Sequence, residues 1–505
     1  MNTGKVSAME ASIALNRFGL GGRPGEVAPE NPKRWLLDQL NRYEPRPPAI
    51  ATAPTTAMVA QGLADYFQQL RQGRMQLFQA GGQSTTIQAD APATMQPAAM
   101  PGQRQRNPAM RSLRMEAARE TRADGRGHYI DAVGARMEAT MRTPAPFVER
   151  LVHFWANHFA VSADKLTVVG LAGTMEFDAI RPHVLGKFAD MLMAVERHPA
   201  MLLYLDQAQS VGPDSPLGQQ VANRGRRQVG LNENLAREIM ELHTMGVGSG
   251  YAQADVTEFA RAMTGWTVAG IGNGQAARIA GTRGEPGEFV FAARIHEPGA
   301  RTILGKRYDQ QGVAQANAVL ADLATHPATA KHVATKLARH FAGDTPPAPL
   351  VAKLERAFLS SGGDLPTVYR ALIDAPESWA AGAPKFRTPW EWSVSTMRAL
   401  GAQSVDGQAM TGLLNQLGQP VWRPGSPAGY DDIAASWAGP DALMRRVEAA
   451  ERIASQIRGD VDPRARAAQL FPDALSDATA QAISRAESPA QGLALMLVSP
   501  EMLRR

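Results

Sequence analysis

The sequence predicts a mainly α-helical protein: a globular array of many helices with a few short strands and one disordered insertion. Three observations lead to this prediction. Alanine, leucine and methionine are plentiful, with 22 methionines alone, and all three favour helices. Alternating runs of valine and isoleucine, which mark half-buried strands, are scarce. Apolar residues recur at helical spacing behind recognisable helix starts along most of the chain.

Composition divides the 505 residues into three parts. We predict an N-terminal helical segment over residues 1–72, a low-complexity disordered insertion over 73–122, and a main helical domain over 123–505. The insertion is rich in Gln, Ala, Pro and Met, so it has little apolar surface with which to order itself. Six arginines lie between residues 104 and 122. We interpret them as a solvated flank, with contact to an anionic partner as the alternative.

Local signals place the starts of several helices. Asn31 is a predicted N-cap in front of Pro32, because proline at the first helical position loses no hydrogen bond. Thr143 is predicted to cap a helix that begins at Pro144 for the same reason. Predicted strands are few and short, with Gly305 marking a turn after the second, and they cover residues 288–293 and 301–304.

Charge and composition exclude several classes of site. The chain has no cysteine, so disulfides, thiolate metal sites and cysteine nucleophiles are excluded. A net charge of +5 from 53 basic and 48 acidic residues is a small imbalance and does not indicate nucleic-acid binding. No apolar run approaches the roughly 20 residues that span a bilayer. The first residues lack the apolar core of a secretory signal, so the sequence as written indicates the cytoplasm, with the periplasm open through an exported partner.

Residues 231–266 are where we expect the chemistry, on two predicted helices joined by a glycine-rich loop. At about 100° per residue, Asn234, Glu238 and Glu241 lie along one edge of the apolar stripe of the first helix. His243 falls on the opposite edge. Glu238 and Glu241 are candidates for a general base or a metal ligand, and His243 is a candidate for a ligand or for proton transfer. One helix cannot aim all of them at one point, so other elements must complete the site.

The same charged residues have a structural interpretation. Arg237 is spaced to form i,i+4 ion pairs with both Glu233 and Glu241. On the second helix, Asp255 followed three residues later by Glu258 fits a capping arrangement. Two interpretations of these carboxylates therefore remain open: they form structural ion pairs, or they are reactive groups of a site.

Three residues outside this stretch are candidates to complete the site. His158 lies in LVHFWANHF and His296 in RIHEPGAR, and either histidine is a possible ligand or proton carrier. A histidine beside aromatic residues is, however, more often a hydrogen-bonded part of the core. Arg423 lies in GQPVWRPGSPAGY, a proline-stiffened loop that can present it to a ligand or can serve as a rigid lid.

Several segments, in order along nearly the whole chain outside the insertion, together resemble one bacterial family, domain of unknown function 1800. They include LNRFGLGGRPGE, LVHFWANHFAVS, NENLAREIMELHTMGVGSGYAQADVTEFARAMTGW and LGQPVWRPGSPAGYDD. The resemblance implies a mostly helical fold and no established reaction. Polar residues at its motif positions, with Arg423, are our candidates for binding (Arg17, Asn157, Asn234, Arg237, Arg423) and for a divalent metal (His158, Asp206, His296).

Two function hypotheses follow. The first is a hydrolase-like enzyme, metal-assisted or acid/base, with a carboxylate/histidine site. The second is non-catalytic. Genes of the resembled family often neighbour those of a second family, domain of unknown function 1501, which is similar to sulfatases and alkaline phosphatases and is usually exported. That neighbourhood implies an accessory or assembly partner of such a protein.

Overall fold

The computed structural model describes residues 8–83, 108–224, 230–271, 284–381, 385–457, 461–471 and 474–505. It confirms the mainly α-helical prediction, since the strands among these residues form only two short antiparallel pairs. Most of the buried apolar side chains belong to one cluster that extends from Ile13 to Met502. Within the described ranges, no helix combines the length and apolarity needed to cross a membrane.

The helices of the N-terminal half are α1 (Ala8–Ile13), α2 (Pro32–Gln39), α3 (Pro48–Ala51), α4 (Thr56–Gln83), α5 (Pro108–Arg142), α6 (Pro146–His158), α7 (Leu171–Met175), α8 (Phe188–Arg197), α9 (Pro199–Tyr204), α10 (Pro216–Ala222), α11 (Asn234–Glu238) and α12 (Gln253–Met263). Three of these helices, α1, α7 and α11, continue directly into wider π-helical turns. Those turns are Ala14–Phe18, Glu176–Ile180 and Ile239–His243. Short 3₁₀ turns follow at Arg181–His183 and Gln207–Gln209.

The helices of the C-terminal half are α13 (Val313–Thr325), α14 (Pro327–Ala342), α15 (Ala348–Ser361), α16 (Leu365–Asp374), α17 (Pro389–Ala399), α18 (Gly407–Leu417), α19 (Pro440–Gln456), α20 (Pro463–Leu470), α21 (Asp477–Ser484), α22 (Pro489–Leu497) and α23 (Pro500–Leu503). The described residues of this half also form three short 3₁₀ turns. They are Ala293–Ile295, Pro376–Trp379 and Ala434–Ser436.

The strands pair as two small hairpins. Strand β1 (Trp266–Val268) pairs with β2 (Phe289–Phe291), and β3 (Arg301–Ile303) pairs with β4 (Lys306–Tyr308). Leu304 and Gly305 connect β3 to β4 and have φ of 50° and 76°, the two positive angles that a tight two-residue hairpin turn needs. The predicted strands and turn are therefore confirmed, while β1 and β4 were not predicted.

Helices α4 and α5 extend into the predicted insertion from both sides. Helix α4 continues to Gln83 and α5 begins at Pro108, so the ends of the 73–122 segment are helical. The middle of that predicted insertion, residues 84–107, lies outside the described residues.

The predicted cap at Thr143 is wrong, because α6 begins at Pro146, two residues after the predicted Pro144. Thr143 only accepts a hydrogen bond from the N–H of Ala145, at 3.1 Å. The side chain of Gln39, at the end of α2, instead accepts from the N–H of Phe147 at 2.8 Å. A residue distant in sequence therefore caps α6, and local spacing does not reveal it.

Helix α6 carries two charged residues into the core, and both are paired there. The Glu149 carboxylate accepts two hydrogen bonds from Arg181, at 2.7 and 2.9 Å, and both side chains are about 1% exposed. Arg150 donates to Glu391 at the start of α17. The indole of Trp155 donates to the Tyr369 hydroxyl at 2.7 Å. These contacts fix α6 against α16 and α17, next to the cavity described below.

Candidate functional site

A cavity of about 400 Å³ lies between α6, α14 and the loop 418–433. Its size is typical of a small-molecule site. Part of its wall is apolar and includes Phe154, Val161, Trp390, Val421 and Trp422. The polar part of the wall includes Asn157, His158, His332, Lys336, Arg339, His340, Tyr430 and Asp432. A half-apolar cavity with convergent titratable groups is the arrangement expected of a site for a small organic ligand.

Helix α14 supplies a line of basic residues to this cavity. His332, Lys336, Arg339 and His340 are spaced i, i+4, i+7 and i+8, so they share one side of the helix. The core side of the same helix includes Val333, Leu337 and Phe341. Burial of that apolar side fixes the orientation of the helix, so that its four basic residues face the cavity.

Lys336 and Arg339 have no hydrogen bond or ion pair with any described residue. The carboxylate with the largest effect on the pKa of Lys336 is that of Asp432. This carboxylate already contacts His340 Nδ1 at 2.8 Å and Lys385 Nζ at 3.2 Å. Burial lowers the pKa of Lys336 to about 8, the charge of Asp432 opposes this shift, and Arg339 adds to it. The cavity therefore holds two cations without counter-ions of their own, and one is an amine that titrates near neutral pH.

Two histidines at the cavity are held by consecutive carbonyls. The Nε2–H of His158 donates to the carbonyl of His243 at 3.0 Å, and that of His332 donates to Leu242 at 3.1 Å. These carbonyls end the π-helical turn after α11, where helical partners are lacking. Burial lowers the pKa of His332 to about 4, and burial with the charge of Lys336 holds that of His158 well below its ordinary value. Both rings are neutral, and His158 Nδ1 is a buried acceptor without a partner among the described residues.

The loop after this turn approaches His332 closely, and a glycine makes the approach possible. Gly246 has φ of +91°, and a Cβ there would lie 2.9 Å from His332 Nδ1. Gly248 has a similar φ of +72° but nothing within 4 Å of its Cβ position. Gly246→Ala is therefore expected to destabilise the fold by about 1–3 kcal/mol more than Gly248→Ala, measured by urea unfolding. Equal losses in the two variants would contradict the close contact.

The predicted catalytic carboxylates lie beside the cavity's supporting turn and do not line it. Arg237 forms both expected ion pairs, at 3.2 Å to Glu233 and 3.4 Å to Glu241, and also donates to Gln253 at 2.8 Å. Glu238 is half-buried, and burial raises its pKa. The ion-pair interpretation of this helix is therefore supported by its contacts, and the catalytic roles of Glu238 and Glu241 stay predictions.

His243 is fully buried and paired with Glu196. Its Nδ1 lies 2.7 Å from the Glu196 carboxylate, and neither side chain is exposed to solvent. The helical spacing used to place His243 on the edge opposite Glu238 and Glu241 does not apply, because residues 239–243 form a π-helical turn. The residues of this turn contribute to the cavity through Leu242, which lines it, and through the two terminal carbonyls that accept hydrogen bonds from cavity histidines. Their charged side chains do not line the cavity. The predicted role of His243 in proton transfer stays a prediction.

Of the predicted binding residues, Asn157 alone lines the cavity. Its side chain donates to the carbonyl of Tyr430 at 2.8 Å and accepts from the Tyr430 N–H at 2.7 Å, which fixes the loop over the cavity. Arg17 is 3% exposed and donates to the carbonyl of Ser378 at 2.8 Å. Asn234 is exposed.

The late-loop candidate Arg423 forms an ion pair with Asp164 through its Nε, at 2.9 Å. The pair lies at the protein surface. Arg423 is not among the residues that line the cavity, so its predicted binding role stays a prediction.

The predicted metal ligands have other partners. His158 donates to a backbone carbonyl as described, Asp206 pairs with Lys165 at 2.7 Å, and His296 Nδ1 donates to the carbonyl of Thr264 at 2.8 Å. Among the described residues, no three histidine, aspartate or glutamate side chains are grouped so that they could hold a metal ion. The metal site stays a prediction that these contacts do not support.

Lys336, Arg339 and the His340–Asp432 pair are site residues that the sequence interpretation missed. One signal was present: the segment from Pro327 to Ala342 carries five basic or imidazole side chains and no carboxylate. A solvated helix normally mixes both signs of charge. A helix that carries only one sign therefore points to counter-charge from another element or from a ligand.

Comparison with known proteins identifies the family of the chain but gives no function for it. No curated protein and no solved structure matches the chain. The model of one family, described as "Protein of unknown function (DUF1800)", matches residues 13–504. That match covers all but the two ends of the sequence, so the chain belongs to the DUF1800 family of proteins of unknown function.

Proposed function

We propose that the protein is an acid/base enzyme that acts on a small organic anion in the 400 Å³ cavity. Lys336 is its base and nucleophile, and Arg339 holds the negative charge of the substrate. One observation carries the proposal: two cations one turn apart face a half-apolar cavity without counter-ions among the described residues, and burial lowers the pKa of one to about 8. This keeps the acid/base hypothesis and moves its site from the carboxylates to α14.

The lowered pKa gives Lys336 its reactivity. With a pKa of about 8, about a tenth of the lysine is neutral at pH 7. An ordinary lysine, with a pKa near 10.4, has a neutral fraction about two hundredfold smaller. The neutral amine can accept a proton or attack a carbonyl carbon. The wall of the same cavity includes the rings of Phe154 and Trp390, and burial of Lys336 favours its uncharged amine.

His158 and Arg339 provide the complementary functions. The Nδ1 of His158 can accept a hydrogen bond from the substrate, because its Nε2–H is committed to the His243 carbonyl. Arg339 offers a planar set of donors that matches a carboxylate. A substrate with a carboxylate at one end and a reactive carbon at the other therefore fits the residues present.

Glyoxylate is a suitable probe, because it joins a carboxylate to an aldehyde. Lys336 Nζ attacks the aldehyde carbon, a C–N bond forms, and the amine proton passes to the oxygen. Loss of water then leaves an imine. Borohydride supplies a hydride to the imine carbon and traps a stable secondary amine, which peptide mass spectrometry locates.

We expect Lys336 labelling to rise through about pH 8, where its amine loses its proton. Lys331, exposed on the same helix, is the internal reference and should react little until the pH approaches about 10. Arg339→Met should reduce labelling by glyoxylate more than labelling by uncharged acetaldehyde. The proposal fails if Lys336 reacts no faster than Lys331 at pH 8, or if wild type shows no preference for the charged aldehyde.

The two other predicted roles have tests of their own. Metal analysis of the purified protein tests the metal-assisted hypothesis, which the lysine site does not require. Co-purification with a protein of the domain of unknown function 1501 family tests the role as accessory partner of a sulfatase- or alkaline-phosphatase-like protein. That role stays a prediction, and a complex that forms equally well with Lys336→Met would show it to be independent of the cavity.

A further inference from the structure

We infer that a second cleft, on a different part of the surface, is a binding site for a phosphate-bearing small molecule. The cleft has a volume of about 440 Å³ and lies between the chain after the first π-helical turn, the end of α5, the loop after α17, and α20. Four arginines line it: Arg23, Arg142, Arg398 and Arg466. This site is separate from the lysine cavity, since the two share no lining residue.

Positive charge in this cleft exceeds the negative charge around it. No acidic residue is among the described residues that line the cleft. Glu26 contacts Arg398 at a distance of 3.6 Å, and Glu138 contacts Arg142 at 3.1 Å. Two carboxylates therefore face four guanidinium groups, and an anion would relieve the remaining repulsion.

Arg398 shows this imbalance most clearly. Its side chain is about 1% exposed, and its Nη1 has no hydrogen-bond partner among the described residues. Burial lowers its pKa to about 9, and the charge of Arg23 adds to that lowering. A buried guanidinium with an unused donor is costly, and a bound anion would supply the missing acceptor.

Backbone carbonyls hold the four guanidinium groups in place before any ligand arrives. Each arginine donates one hydrogen bond to a carbonyl, and Arg398 keeps its Nη1 without a partner among the described residues. The pairs are Arg23 with Met141, Arg142 with Gln403 at 3.4 Å, Arg398 with Gly21 at 2.9 Å, and Arg466 with Ala399 at 2.7 Å. Donors fixed in advance lose little conformational entropy on binding, which favours a compact ligand with several acceptor oxygens.

A phosphate group fits these donors better than a carboxylate does. It carries up to two negative charges and three free oxygens, whereas one carboxylate can satisfy only one guanidinium fork. The cleft also has room beyond the phosphate itself, so both inorganic phosphate and a larger phosphate compound are sources of the same chemistry. Inorganic phosphate and pyrophosphate are therefore the two probes.

The test is calorimetric titration of the full chain with each probe, in chloride buffer of matched ionic strength. Arg142 is exposed and Arg466 only partly buried, so Arg142→Gln and Arg466→Gln should fold. Each is expected to weaken the Kd roughly tenfold, the effect of losing one charge-assisted hydrogen bond. Arg445→Gln is the matched control, because Arg445 is an exposed arginine that pairs with Asp441 on α19.

Three results would overturn the inference: no binding at millimolar phosphate, equal affinity in the Arg142→Gln/Arg466→Gln double variant, or an equal loss in Arg445→Gln. Tighter binding of pyrophosphate than of phosphate would favour a larger phosphate compound as the ligand, and the reverse order would favour phosphate itself. Lys336→Met should bind both probes as wild type does. The outcome for this cleft is therefore independent of the outcome for the lysine cavity.

Discussion

Glu391→Ala is expected to lower the free energy of unfolding by about 3–5 kcal/mol, because it removes the carboxylate that two buried arginines share. Arg150 donates to Glu391 from α6, and Arg505 lies 2.9 Å from the same oxygen. The second oxygen accepts from the N–H of Thr388 at 2.9 Å and so caps α17. Both cations are almost fully buried, and neither can recover its interactions with water when the carboxylate is lost.

Urea unfolding measures this loss, and Asp441→Ala is the control. Asp441 also pairs with an arginine, at 3.7 Å, but its side chain is 97% exposed. Removal of an exposed pair should cost about 0–1 kcal/mol. A similar loss in the two variants would mean that burial does not set the strength of the Glu391 cluster.

The same cluster makes stability depend on pH. Burial alone would raise the pKa of Glu391, but the charges of Arg505 and Arg150 outweigh it and hold the pKa well below 4.5. A depressed carboxyl pKa contributes stability that is present above the unfolded value and is lost as the pH falls toward the folded value. Wild type should therefore lose more stability than Glu391→Gln between about pH 5 and pH 3.

Sequence signals predicted the helices whose ends are set locally. Helices α14 and α16 also have starts that local residues determine. Each has a proline near its start and a side-chain cap on the residue before its first turn, His326 and Asp364. Asn31 caps α2 as expected, accepting from the N–H of Arg34 at 3.0 Å. The start of α6 was misplaced because its cap comes from Gln39, more than a hundred residues away.

The candidate site was harder to predict, because it depends on which parts of the chain meet. His158, a predicted site residue, lines the cavity, but its partner is a backbone carbonyl, and a sequence carries no signal for that. The π-helical turn at 239–243 also moved His243 away from its expected face, since one wider turn changes every later side-chain direction. Lys336 was not singled out, because Asp432 and the loop 418–433, which enclose the cavity, lie about a hundred residues later in the chain.

Arg181→Ala should also destabilise the protein by about 3–5 kcal/mol, because Glu149 would be left charged in the core. The two side chains form a bidentate pair, and each is about 1% exposed. His153, which lines the cavity, lies 3.7 Å from the same Glu149 oxygen. The variant should therefore also displace His153 in the cavity wall. This displacement should change the glyoxylate labelling of Lys336 in the fraction of protein that remains folded.

A double variant separates the cost of an unpaired charge from the value of the pair. If an uncompensated buried carboxylate causes the loss, Glu149→Leu combined with Arg181→Met should recover much of it, because both charges are then gone and apolar volume replaces them. Arg181 also donates to the carbonyl of Pro45 at 2.9 Å, so some loss should remain. A double variant no more stable than Arg181→Ala would show that the hydrogen bonds of the pair, rather than charge neutrality, hold α6 in place beside the cavity.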